Sequence, residues 1–361
     1  MTTPKKILVY HLASLGDILV ALPALRLIRR EYQDYEITIL TPKHKHNNHG
    51  AVDIKQVLDG MSLVDSYLYL DLNDGKIKRY LETFKHIRGK GFSVLIYLNE
   101  GRELRRVIRD LIYFKLCGVK KIIGTGLSRN IRYPTLRKSG KSESIREFLV
   151  RKIEQVGSID SNSFDAYGIN ADSIVEYPWI EKNLVKKIIG QDKSKIIGIS
   201  IGTKIKVNDW GSDKWVELMR IISINYPEYL IVAIGGLNDR AKIDNIFKDI
   251  NSNYINFCGD ITISQSSFVL SKCQIFICHD SGPMHLASAI GVKTVSIFSS
   301  RNAPGLWFPA GKTSKVLYTR IECEGCGKTE CISLKKKCIS SISPNSVFRE
   351  VKKLVKLSNN I

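Results

Sequence analysis

Four residues able to do chemistry fall within the nine-residue stretch HDSGPMHLA, His279 to Ala287. An apolar run, CQIFICH, ends at His279, a DSG turn follows, and helical spacing resumes near Pro283. A strand-to-helix turn of that kind presents unpaired backbone N–H groups and the positive end of a helix dipole, the chemistry that holds a diphosphate. Gly282 allows close backbone approach, and Ser281 adds a hydroxyl donor. Asp280 can accept from sugar or ribose hydroxyls, and His285 is expected within reach of a phosphate. An ordinary capped turn with a satisfied histidine has the same outline, and the residues alone leave both readings open.

A matching element lies near the start, where HLASLGD separates the apolar run KKILVYH from the helical pattern ILVALPALRLIRREY. Asp17 stands at the helix start and has two readings, a helix cap or a general base. Arg102, Arg105, Arg106 and Arg109 follow a strand end at i, i+3, i+4 and i+7, so they share one helical face. That stripe is either a solvated basic face or a set of bidentate contacts for an acidic acceptor. Cys323, Cys326, Cys331 and Cys338 form a C-x2-C-x4-C-x6-C run whose thiolates suit tetrahedral Zn or Fe; four free thiols are the alternative. His44, His46 and His49 lie in a polar loop and are read as only that.

The elements that must position these residues alternate throughout. The first half reads as KKILVYH, a helix, EITIL, then FSVLIYL, a helix over RELRRVIRDLIYFKLCG ended by Gly118, and a short strand at Lys121–Ile123. Residues 158–170 are rich in Ser, Asn and Asp and look like the approach to a linker. The pattern then restarts with KIIGIS, a helix over SDKWVELMRIIS capped by Ser212, YLIVAIGG, INFCG, a helix over SQSSFVLSKC, CQIFICH and KTVSIF. A terminal helix follows, with Ser343 as cap and Pro344 at its first position. This order predicts an α/β chain of two Rossmann-like domains facing across a cleft, 1–180 and 181–361.

Composition bounds the function. With 361 residues, 43% hydrophobic and 25% charged, the chain has room for two cores and is not a disordered polymer. No run reaches the roughly 20 apolar residues of a membrane span, and the N-terminus reads as a strand and not as a signal peptide. A cytoplasmic location is expected. The net charge of +20 suits nucleic acid, an anionic membrane or an acidic substrate, and a lysine-rich composition alone also yields it. A nucleic-acid-binding protein is the rival from another class, but the aromatic platforms and basic helices of such modules are missing.

Taken together, SLGD–ILVALPALRLIR and HDSGPMHLASAIGVKTVSIFSS resemble glycosyltransferase family 9, the ADP-heptose:lipopolysaccharide heptosyltransferases. The resemblance runs from Ile7 to about Val351. It implies the GT-B fold, with the donor nucleotide on the C-terminal domain and the acceptor mainly on the N-terminal one. It also implies an inverting, metal-independent transfer of heptose from ADP-heptose to an acidic, lipid-linked saccharide such as a lipopolysaccharide core. By this resemblance Asp17 is the general base, and Asp280, Ser281, Gly282 and His285 contact the donor, with Asp239 in a looser correspondence. Relatives carry arginine where His11 stands, and a phosphate-binding lysine where Asn208 stands, two residues before Trp210. Lys204 and Lys206 are expected to replace that lysine. The arginine stripe would hold the acceptor, and a late cysteine pattern in relatives favours a structural metal. Another sugar nucleotide or acceptor, such as an O-antigen or a protein, is the alternative. The expected partners include the anionic inner face of the inner membrane and exclude nucleic acid.

Overall fold

Short apolar runs form two separate parallel sheets in a computed structural model of the chain, which describes residues 5–43, 53–71, 75–101, 103–157, 195–311 and 314–359. The chain divides into two compact units, Met1–Gly168 and Ile169–Ile361. The boundary expected at 180/181 and the loop with His44, His46 and His49 lie outside the described residues.

In the first unit the order is β1 (Lys6–Tyr10), α1 (Leu15–Glu31), β2 (Glu36–Lys43), α2 (Lys55–Leu58), β3 (Ser66–Asp71), α3 (Lys76–Lys90), β4 (Val94–Tyr97), α4 (Leu104–Leu116), β5 (Lys121–Ile123), α5 (Arg129–Arg132) and α6 (Ile145–Lys152). The strands lie in the order β3-β2-β1-β4-β5. Val9 is in register with Ile39 on one side and Ile96 on the other, all parallel. A strand covered by helices on both faces must be apolar without alternation, and Ile7, Leu8 and Val9 are fully buried.

The second unit runs β6 (Ile196–Ser200), α7 (Ser212–Asn225), β7 (Leu230–Ala233), α8 (Arg240–Phe247), β8 (Tyr254–Asn256), α9 (Ile263–Ser271), β9 (Ile275–His279), α10 (Gly282–Ala289), β10 (Thr294–Phe298), β11 (Lys315–Tyr318), α11 (Lys337–Ser340) and α12 (Pro344–Asn359). Its strand order is β11-β10-β9-β6-β7-β8, again parallel throughout. Leu218 and Ile222 of α7 share one core with Ile277 of β9, Ile297 of β10, and Val351 and Leu354 of α12. In both sheets the connections reverse direction once, between β1 and β4 and between β6 and β9. Ligands of open α/β sheets bind beyond the carboxyl ends of strands at such a reversal.

Most of the alternation read from sequence is present, but α2, α5, α6, α8, β11 and α11 are unassigned in it, as are β3 and α3, and one helix cap is misplaced. Residues 66–90 carry β3 and α3, which the sequence reading leaves unassigned. β3 is an edge strand with no fully buried residue, and α3 is crowded with six Lys and Arg, so neither shows a strong apolar pattern. Ser212 is the first residue of α7 and not its cap. The cap position belongs to Gly211 at φ +104°, a conformation that a side chain would strain. The terminal helix begins as expected, with the Ser346 N–H donating to Ser343 Oγ at 3.2 Å and Pro344 first.

Because α12 is part of the second core, Leu354→Ala should cost about 2–4 kcal/mol of that unit's stability. A urea titration followed by tryptophan fluorescence checks this; an unmoved midpoint would place α12 outside the core.

Candidate active site at the strand-end reversals

In the first unit, the loop after β1 and the loop after β4 flank the reversal. Ser14 caps α1, and its N–H donates to Asp17 Oδ2 at 2.6 Å. One oxygen of Asp17 therefore does cap work, while the other accepts no hydrogen bond among the described residues. The two readings of Asp17 coexist in one side chain. Asn99 Oδ1 accepts the Leu12 N–H at 2.7 Å and fixes the first loop to the end of β4. His11 braces the same junction, with Nδ1 3.2 Å from the Leu98 carbonyl and Nε2 3.3 Å from the Asp17 carbonyl. Burial lowers its pKa, so it stands as a neutral spacer where the resemblance expects an arginine cation.

Glu100 is the residue that sequence reading passed over. Its Oε2 is sealed from water and has no hydrogen-bond partner among the described residues. Burial first, and then the neighbouring charge of Asp17, push this carboxyl up to about 8, with Lys152 pulling the other way. Lys152 is itself buried, donates to the Ile131 carbonyl at 3.1 Å and lies over the rings of Tyr97 and Phe148. An unpaired buried carboxylate is expensive, so Glu100 favours its protonated form. The signal was available: Asn99 and Glu100 are polar residues directly after a buried strand, the place where ligand groups gather.

In the second unit, β9 delivers His279, Asp280 and Ser281 to the reversal, and β6 delivers the loop with Lys204, Lys206 and Asn208. Ser281 stands at the N-cap position of α10 in extended conformation, its hydroxyl turned back to the His279 carbonyl at 3.4 Å, and Gly282 and Pro283 open the helix. Asn208, where a lysine is expected, is buried and bridges two strand ends. Its Nδ2 donates to Asp280 Oδ2 at 3.4 Å, and its Oδ1 accepts from Ser299 Oγ. Burial pushes Asp280 up to about 7, opposed by the charge of Arg301 and the Asn208 hydrogen bond. Asp239 accepts the Gly236 N–H at 3.1 Å and fills the space beside Gly202 and Gly235, where a side chain would collide with its carboxylate.

The basic and histidine residues take varied places. Lys204 is exposed, and Lys206 reaches Glu330 at 3.3 Å. His285 is the fourth residue of α10, buried edge-on against Trp307 at 5.8 Å. Arg105 and Arg106 pair with Glu103 at 2.8 and 3.7 Å, and Arg109 is held by the buried carboxylate of Asp110. Arg102 lies outside the described residues.

The cysteine run packs along both donor-side loops. Gly325 and Gly327 N–H groups donate to the Ser300 and Arg301 carbonyls at 2.8 Å, and Val207 N–H donates to the Thr329 carbonyl at 3.1 Å. The Cys331 thiol accepts from the backbones of Lys336 and Leu334, which lowers its pKa; Cys323 is raised by burial and by Cys326, Cys338 and Cys331 nearby. Among the described residues, no three His, Cys, Asp or Glu side chains are gathered as a ligand set for a metal ion. Cys323, Cys326, Cys331 and Cys338 would be the residues to hold a Zn or Fe ion, and no chemical step is routed through one.

Two parallel doubly wound units in one chain, each with polar residues at its reversal, define the GT-B class. A solved family 9 glycosyl transferase from Veillonella parvula superposes with a TM-score of 0.69 at 20% identity, covering 99% of both chains. The E. coli heptosyltransferase WaaC, solved with ADP, gives 0.65 at 12% identity over 97% of this chain and 99% of that one. The model of glycosyltransferase family 9 (heptosyltransferase) matches residues 161–337 of this chain. Lipooligosaccharide heptosyltransferase 2 of Campylobacter jejuni is 26% identical over 170 residues, 46% of this chain and 54% of that protein. The match thus spans about half the length of this curated relative.

Glu100 gives a pH signature. Its folded pKa of about 8 lies above the ordinary 4.5, so its contribution is fully present below about pH 4.5 and is lost as pH rises through about 8. Glu100→Gln, which does not titrate, should gain on the order of 1–2 kcal/mol over wild type between acid and about pH 8.5, because partial exposure trims the full linkage value. Urea midpoints at both pH values decide; a constant difference would mean that folding leaves the Glu100 pKa unshifted.

Proposed function

We propose that the chain transfers a heptose from ADP-heptose to an acidic, lipid-linked saccharide of the lipopolysaccharide-core type, with inversion at the anomeric carbon. The observation that carries this reading is the placement of Asp17, one oxygen fixed by Ser14 and the other open, at the reversal of the first sheet. The start of α10 at the reversal of the second sheet supports it on the donor side. The match to the family model and the heptosyltransferase relatives supply the sugar class.

In this reading Asp17 takes the proton of the acceptor hydroxyl as its oxygen bonds to the anomeric carbon, and the bond from that carbon to the diphosphate oxygen breaks. ADP leaves with the electron pair. The backbone at Ser281–Gly282 and the dipole of α10 receive the charge that develops on the diphosphate, with Lys204 and Lys206 from the facing loop and His285 adding to it. Asp280, held by Asn208, accepts from the donor's ribose or sugar hydroxyls, and Asp239 borders the same strand ends. Glu100, in its favoured protonated form, brings no negative charge to the neighbourhood of Asp17. Arg105, Arg106 and Arg109 offer positive charge to an acidic acceptor. The cysteine segment, bonded to the loops at 205–209 and 300–301, holds the donor side in shape.

Asp17→Asn should keep donor binding and lose transfer by about 10²-fold or more; full activity would remove Asp17 from the base role. In a thermal-shift screen, ADP-heptose should raise the melting midpoint more than UDP- or GDP-sugars do. Stabilisation by a non-adenine sugar nucleotide alone would overturn the donor assignment.

A further inference from the structure

We infer that the outer face of α3 and α4 is a docking surface for an anionic phospholipid bilayer. The two helices pack side by side on one face of the first sheet: Tyr113 Oη donates to the Tyr80 carbonyl at 2.8 Å, and the two rings meet edge-on at 5.2 Å. Helix α4 buries Val107, Asp110 and Phe114 toward the sheet. Its opposite side should then be polar. Instead Leu104, Ile108, Ile112 and Leu116 follow at four-residue steps, exposed by 37, 41, 57 and 65%. Ile77 and Leu81 of α3 add two more apolar side chains, exposed by 79 and 56%. Single exposed apolar residues are ordinary, but a continuous stripe across two adjacent helices marks a surface that is covered in use.

The charge around the stripe selects what covers it. Helix α3 carries six Lys and Arg against Glu82 alone, and α4 carries four against Asp110 alone. Asp110 is buried and held by Arg109 and Tyr97, so it adds no negative charge to the outer face. A second copy of this face would bring like charge against like charge, and a nucleic acid would leave the isoleucines and leucines wet. A bilayer with anionic headgroups takes both components: the apolar side chains enter the acyl boundary, while Lys85 and Arg88 remain among the phosphates. Helix α4 also starts at the strand-end edge that holds Asp17 and Glu100, so docking sets that edge at the lipid surface. Docking of this kind is independent of which donor the chain uses.

Flotation of the full chain with phosphatidylcholine vesicles, with and without phosphatidylglycerol, tests the surface. Wild type should float only with the anionic vesicles. Ile108→Ser/Ile112→Ser/Leu116→Ser should weaken that partition by roughly tenfold or more at an unchanged melting midpoint. Lys85→Glu/Arg88→Glu should abolish it independently, and Ile224→Ser, a still more exposed change in the other unit, should leave it intact. The proposal fails if wild type does not float, or if the triple-serine and charge-reversal variants float as wild type does. It also fails if light scattering finds a wild-type dimer that the serine variant dissolves, which would assign the stripe to a second copy.

Discussion

The imidazole of His279 holds the donor side together. Its Nε2 accepts from both the Trp210 N–H and the Trp215 Nε1–H at 3.3 Å, deep in the second core. Burial drives its pKa down to about 4, so the ring is neutral and that nitrogen is free to accept. Nδ1, which then carries the proton, faces the Ile201 carbonyl without closing a well-formed hydrogen bond. A charged ring could not accept from the Trp210 backbone N–H or the Trp215 indole N–H, and both would be left unpaired in an apolar core. Through this one side chain the end of β9, the loop after β6 and the start of α7 become a single rigid piece. Trp210 extends the piece to α12 by donating from Nε1 to the Ile342 carbonyl at 2.9 Å.

The first unit solves the same problem with other residues. There Asn99 and His11 join the loop after β1 to the end of β4, so the Asp17 loop is fixed to the neighbouring strand end. In each unit a carboxyl at the reversal lies in a desolvated setting and is pushed up, Glu100 to about 8 and Asp280 to about 7. Their partners differ in sign. Glu100 faces another acid and stays protonated, whereas Asp280 faces Arg301 and an amide donor and is drawn toward ionisation. Two similar scaffolds thus hold carboxyls in opposite electrostatic settings, Glu100 beside the acid Asp17 and Asp280 beside Arg301 and the Asn208 amide.

What the sequence made legible was whatever depends on local pattern. The parallel strands are unbroken apolar runs, and the turns after KILVY and IFICH carry Asp17 and Asp280 by spacing alone. Long-range pairing was not legible. Asn208 read as a missing lysine, yet its amide bridges Asp280 and Ser299, from strands that no local pattern pairs with it. His11 read as a missing arginine and is a buried brace. The stripe on α4 was hidden for a different reason: its leucines and isoleucines look like core residues until the opposite face is seen to be the buried one.

The donor half of the proposed transfer depends on a diphosphate at the start of α10, where Ser281 holds the N-cap position. Calorimetric titration of ADP into wild type and into Ser281→Asp tests that placement directly, because the substitution sets a negative charge at the cap without entering the core. Wild type should bind ADP, and the aspartate variant should bind it at least about tenfold more weakly. Equal affinity in the two proteins would move the nucleotide away from this turn and contradict the central assignment.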